Sequence, residues 1–168
     1  MDLARLGAQE LRLEPQAVTL DGTLREAVAA HAARAAEAGI SLTDGSDPGL
    51  ASATVVTDPL RVRQIVSNLV DNALRVTSAG GAIRVSGRPD AGEVVIEVAD
   101  NGPGIAPADL PHVFERSYLW GKSQGARSVG TGLGLAIVRD LAVALRGRIE
   151  VESELGSGTR FTLHLPTA

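Results

Sequence analysis

Apolar and polar positions along this chain repeat at two different periods, and the changes between them mark out its elements. In RVRQIVSNLVDNALRVT, residues 61–77, Val62, Ile65, Val66, Leu69 and Ala73 fall on one stripe at about 100° per residue, which predicts an amphipathic helix. Asp58-Pro59 ahead of it supply a cap and a first-turn proline. Alternation in AIRVSG at 82–87 and EVVIEVAD at 93–100 predicts one hairpin. RIEVES and TRFTLHL, joined through Gly156-Ser157-Gly158, predict a second.

The remaining segments follow the same logic. MDLARLGAQ reads as a short helical stub with Leu3 and Leu6 on one face, too brief to be stable alone. QAVTL at 16–20 is strand-like, and Asp21 is placed to cap an alanine-rich helix that Gly39 closes. ISLT and ATVVT predict short strands separated by Asp44-Gly45 and Asp47-Pro48-Gly49 turns. A loop-rich stretch from 101 to 130 precedes a helix over 131–146, which Gly147 stops. Helices separated by antiparallel hairpins predict an α/β (α+β) two-layer sandwich, a mixed and largely antiparallel sheet of about five strands packed on three helices.

Composition narrows the function classes. The chain has 168 residues, 44% apolar and only 2% aromatic, which predicts one domain with an aliphatic core. A net charge of −4 without a long basic run argues against a nucleic-acid partner. Without cysteine there is neither a disulfide framework nor a thiolate metal site, and His31, His112 and His164 lie far apart in sequence. No apolar run reaches the roughly 18–20 residues of a membrane span, so no direct membrane contact and a cytoplasmic place are expected.

Three segments carry candidate chemistry. In GTGLGLAIV, residues 130–138, three glycines at alternate positions lead into a helix, as suits an anion held by bare backbone N–H groups. A dinucleotide fingerprint would need glycine where Leu135 stands, and the phosphate-loop ending WGKS lacks its opening glycine at Arg116. On the 61–77 helix, Asn68, Asn72 and Arg75 border the apolar stripe; two amides one turn apart can serve Mg²⁺, and Arg75 can reach phosphate. Asp100 shares a strand face with Val94, Ile96 and Val98, and a carboxylate so placed needs a donor. The exocyclic amine of adenine is such a donor, whereas guanine presents a carbonyl there. Gly102 and Gly104 would let backbone approach a flat base. Phe114 and Arg116, followed by polar chain containing Trp120 and Lys122, suit a mobile lid over a ligand.

In this order NLVDNA, DNGPGI, VFERS and GTGLGLAIV resemble the N box, first glycine box, F box and second glycine box of the sensor histidine kinase catalytic domain, a member of the GHKL superfamily with the Bergerat ATP-binding fold. The closing GSGTRFTLHLP is similar to that family's last hairpin, so the resemblance spans about residues 16–166. It implies ATP and Mg²⁺ as cofactors, with Asn72 on the metal and Asp100 on adenine. Asn68, Asn72, Arg75, Asp100, Gly102, Gly104, Ile105, Lys122, Gly130, Thr131, Gly132, Leu133, Gly134 and Thr159 are the implied nucleotide-binding set. Asn68, Arg75 and Arg116 are the implied catalytic residues.

Hydrolytic members of the superfamily carry a glutamate where this chain has Asn68, and an amide cannot take a proton. Phosphoryl transfer to histidine is therefore preferred to a gyrase- or chaperone-type ATPase, with a degenerate nucleotide-binding or scaffold module as the alternative. None of the three histidines is followed by the acceptor pattern of the family. The implied partners are thus a histidine-containing dimerisation domain of a longer parent kinase and, through that parent, a response regulator. On the same resemblance residues 1–14 end the dimerisation helix and form a linker, residues 15–168 are the catalytic domain, and the parent is anchored in the cell membrane.

Overall fold

The computed structural model describes residues 11–116 and 133–167. Strand β1 (Gln16–Val18) leads into α1 (Asp21–Glu37), followed by β2 (Ser41–Asp44), a 3-10 turn (Pro48–Ser52), β3 (Val55–Thr57) and α2 (Pro59–Val76). The hairpin β4 (Ala82–Asp90) and β5 (Glu93–Asp100) comes next, then α3 (Gly134–Ala144) and the hairpin β6 (Arg148–Glu154) and β7 (Gly158–Pro166). Five strands form one sheet in the order β2-β4-β5-β7-β6, parallel only between β2 and β4. The ribbon β1-β3 stands apart as an antiparallel pair. The mixed sheet and three helices are the sandwich expected from the sequence.

One core joins the helices to a single sheet face. From α2 it takes Val62, Ile65, Val66, Leu69, Val70 and Ala73; from the strands Ile83, Val85, Val94, Ile96, Val98, Phe161, Leu163 and Leu165. Phe114 leans edge-on against Phe161, ring centroids 6.0 Å apart and planes at 71°, which anchors the middle of the 101–130 stretch. Between α1 and α2, buried His31 has Nδ1 2.8 Å from the Ala27 carbonyl and Nε2 3.3 Å from the Asp71 carboxylate.

The helix ends separate correct from incorrect expectations. Asp58 caps α2 as expected, its Oδ1 accepting the N–H groups of Leu60 at 3.0 Å and Arg61 at 3.2 Å. Asp21 does not cap α1: the N-cap is Leu20, fully buried, whose carbonyl accepts the Leu24 N–H. Burial of the Leu20 side chain sets where the helix starts, and Asp21 lies in the first turn, ion-paired to Arg25 at 3.2 Å. Gly39 (φ +69°) closes α1 in a Schellman motif, with Ile40 N–H donating to Ala35 and Gly39 N–H to Ala36.

The same motif closes α3, one residue earlier than expected. Arg146 takes the left-handed conformation (φ 59°), and the Gly147 N–H returns to the Ala142 carbonyl at 2.8 Å. Gly147 is required for a different reason, since a Cβ there would stand 2.4 Å from the His164 carbonyl of β7. Strand β4 also outruns its expected end, through Pro89. Beyond Val85 it no longer pairs with β2, so proline sits where no ladder N–H is needed on that side.

Candidate functional site

The site is built where β5 ends against the C-terminal turn of α2. Asp100 closes β5 and is half-buried, its Oδ1 accepting the Gly102 N–H at 2.9 Å. Burial pushes its carboxyl above the ordinary carboxylate range, while hydrogen bonds from the Gly102 and Thr159 backbone amides pull the other way. A carboxylate oriented by the Gly102 N–H keeps lone pairs for another donor. Gly102 fits tightly beside it: an added Cβ would lie 3.3 Å from the Val76 side chain and 3.3 Å from its carbonyl. Val76 at the end of α2 therefore borders the Asp100 corner, itself 41% exposed.

Asn72 stands one turn back along α2 from Val76, and Asn68 two, both half-buried on the edge of the apolar stripe. Arg75 is exposed; its Nε lies 3.5 Å from the Asp71 carbonyl, too long to hold it firmly. Asp100 thus sits at the end of β5, and Asn72 and Asn68 lie on successive turns of α2 leading back from Val76. Arg116 is exposed and 3.6 Å from Asp140 of α3, so it faces that helix.

The glycines divide by cause. Gly104 (φ +74°) has a reason inside the protein: a Cβ would lie 2.1 Å from the Glu154 carbonyl. Close approach of backbone there serves the β6–β7 turn, which Gly156 N–H also ties to the Pro103 carbonyl at 2.8 Å. Gly134, first residue of α3, has none, because a Cβ there meets open space and its φ is ordinary. Leu133 caps α3 without a side-chain hydrogen bond. Lys122, Gly130, Thr131, Gly132 and Trp120 lie outside the described residues.

One participant carries no signal in the sequence. Ser153 of β6 receives the Ile105 N–H at 2.7 Å, donates to the Gly158 carbonyl at 2.8 Å and lies 2.8 Å from the Thr159 hydroxyl. It joins the loop after β5 to β7 beneath Asp100, whose register partner is Thr159. An open depression of about 330 Å³ is lined there by Asp100, Ser153, Glu154, Gly158 and Thr159 among others.

A half-buried acceptor at a strand end, beside a helix edge carrying two amides, in a five-stranded sandwich of this order, defines a Bergerat-type ATP-binding domain. The pattern of the histidine kinase-, DNA gyrase B-, and HSP90-like ATPase family matches residues 57–168, and the chain belongs to that family, as the domain type found in sensor histidine kinases. It is 36% identical over 166 residues to the sensor-like histidine kinase SenX3 of Mycolicibacterium smegmatis, covering 99% of this chain and 42% of that one. It is 43% identical over 103 residues to the sensor histidine kinase RppB of Synechocystis, covering 61% of this chain and 23% of that one. Among solved structures, full-length ShkA in complex with AMPPNP superposes with a TM-score of 0.82 at 35% identity, over 98% of this chain and 34% of that chain. The chain therefore spans less than half the length of these curated relatives.

Proposed function

We propose that this domain binds Mg²⁺-ATP and passes the γ-phosphoryl group to a histidine of a dimerisation domain in a longer two-component sensor kinase. The observation that carries the reading is the Asp100 corner: a half-buried carboxylate fixed by backbone donors, at the end of the helix edge that holds Asn72 and Asn68. Asp100 accepts the exocyclic amine of adenine, with Gly102, Gly104, Ile105 and Thr159 forming the walls around the base. Asn72 offers its amide oxygen to the metal. Mg²⁺ is a hard cation, and at Asn72 it would take oxygens of the phosphates and of water as its other ligands. Bound there, Mg²⁺ supplies charge neutralisation on the phosphates.

The rest is positioning and electrostatics. Arg75 is free enough on α2 to reach phosphate, and the N-terminal turn of α3 at Leu133 and Gly134 suits an anion. Arg116 is read as serving the phosphate side, a role that the resemblance also implies for Lys122, Gly130 and Gly132. Asn68 stands where a base would activate water, and its amide takes no proton. A neutral imidazole needs no such base: its nitrogen attacks the γ-phosphorus, the bond to the β,γ-bridging oxygen breaks, ADP leaves, and the ring N–H proton passes to solvent.

Residues 1–14 are read as the end of the dimerisation helix and its linker, and residues 15–168 as the catalytic unit. The domain works in the cytoplasm, beneath a membrane-anchored parent, and meets a response regulator only through that parent. Adding the parent's dimerisation domain in trans with γ-labelled ATP tests the reading. Acid-labile, base-stable label on that domain supports it. Tight ATP binding without transfer would favour a nucleotide-binding scaffold, and steady phosphate release by the domain alone would favour a self-contained ATPase.

A further inference from the structure

We propose that Ser153 is a positioning residue that makes the base corner selective for a 6-aminopurine, by fixing where the Thr159 hydroxyl points its proton. This rests on the reading of Asp100 as the adenine acceptor. A serine hydroxyl has one proton and two lone pairs. The Ile105 N–H, 2.7 Å away, takes one lone pair, and the Gly158 carbonyl at 2.8 Å, which can only accept, takes the proton. The one remaining contact, Thr159 Oγ1 at 2.8 Å, must therefore donate into Ser153.

That assignment leaves Thr159 with lone pairs only. Thr159 is buried and stands opposite Asp100 in the β5–β7 ladder, on the same face. The corner facing a base thus presents acceptors from both strands. An amine at purine C6 finds partners there, and a carbonyl oxygen meets repulsion. Without the Ser153 hydroxyl, Thr159 is free to turn its proton outward and donate to such a carbonyl, so the corner loses its single polarity. Ser153 also holds the Ile105 end of the loop against β6, which keeps this arrangement closed.

Titration calorimetry with ATP and with GTP on the full chain tests the proposal. In Ser153→Ala the ratio of ATP to GTP affinity should fall by about tenfold or more, and in Ser153→Thr, which restores a hydroxyl, it should return toward the parent value. Thr159→Val should lower the ratio similarly, and the double variant should be no worse than either single one. Amide exchange at Ile105 should quicken in Ser153→Ala without nucleotide. An equal loss of ATP and GTP affinity, ratio unchanged, would overturn the proposal and leave Ser153 a structural residue. Should Ser153→Ala fail to fold, an unchanged ratio in Thr159→Val overturns it equally. Asp100→Asn separates the two levels: if it leaves the ratio intact, the adenine reading itself fails, whereas a ratio lost in Asp100→Asn but kept in both other variants removes only the role of Ser153.

Discussion

The Asp58 carboxylate accepts the backbone N–H of Glu14 at 2.9 Å, from 44 residues away in sequence, while its other oxygen caps α2. One buried side chain thus fastens the chain entering the domain to the helix that carries Asn68 and Asn72. Asp58→Ala should cost about 2 kcal/mol, at the upper end for a cap, because it removes the part-buried hydrogen bond to Glu14 as well. Chemical denaturation measures the loss, and amide exchange at Glu14 should rise with it. An exchange rate unchanged at Glu14 would show that the entering segment is held by other contacts.

Asp100 sets activity against stability. Its carboxyl is raised above its unfolded value of 3.8, so the folded state binds that proton more tightly, and stability falls as pH climbs from the unfolded toward the folded value. Above both values the ionised group is a net cost to the fold. Asp100→Asn should therefore leave the thermal midpoint at pH 7 unchanged or higher, while ATP affinity drops roughly 10- to 100-fold, as expected for a lost charge-assisted hydrogen bond. In the parent, ATP affinity should weaken on acidification from above the usual carboxylate range. The Asn variant, titrated in parallel, isolates this from protonation of the nucleotide phosphates.

Two glycines should respond in opposite ways. Gly104→Ala combines a left-handed backbone with a Cβ driven into the Glu154 carbonyl, and should destabilise the fold by about 2–4 kcal/mol. Gly134→Ala meets open space at the start of a helix and should stabilise by up to about 1 kcal/mol. Its penalty should fall on ATP affinity alone. Thermal melts and nucleotide titrations on both variants check the contrast, and an unchanged ATP affinity in Gly134→Ala would remove phosphate from that helix end.

Asn72→Ala should abolish the Mg²⁺-dependent part of ATP binding and leave the fold intact, since Asn72 lies on the edge of the α2 stripe and not among its buried residues. Titration with and without Mg²⁺ reads the difference. Unchanged affinity with the metal present would end its assignment as a ligand.

The fold was legible wherever a local pattern and the core agreed. The α2 stripe, its Asp58-Pro59 start and strand β5 emerge from the sequence at nearly their observed bounds. Asp21 misled because capping chemistry is local, whereas the buried Leu20 fixes the helix start from a distance. The expected strand over 82–87 stops short of Arg88-Pro89-Asp90, and only the early end of β2 lets that segment continue as strand. Of the candidate site, the core-side face of Asp100 and the helix-edge place of Asn72 were readable from period and spacing. Ser153 was not, because its role arises from three segments meeting at one hydroxyl, and a lone serine in a strand says nothing of that.

Helix α3 is clamped along one face and not only at an end: Leu135, Val138, Leu141 and Ala142 are all buried in the core, and the Schellman closure at Arg146 then leads Gly147 past the His164 carbonyl of β7. A displacement at one end is shared by the whole packed face. A bulky residue at 147 would push against β7 and shift that face as a unit, altering nucleotide affinity from the opposite end of the helix without touching any group that meets the ligand.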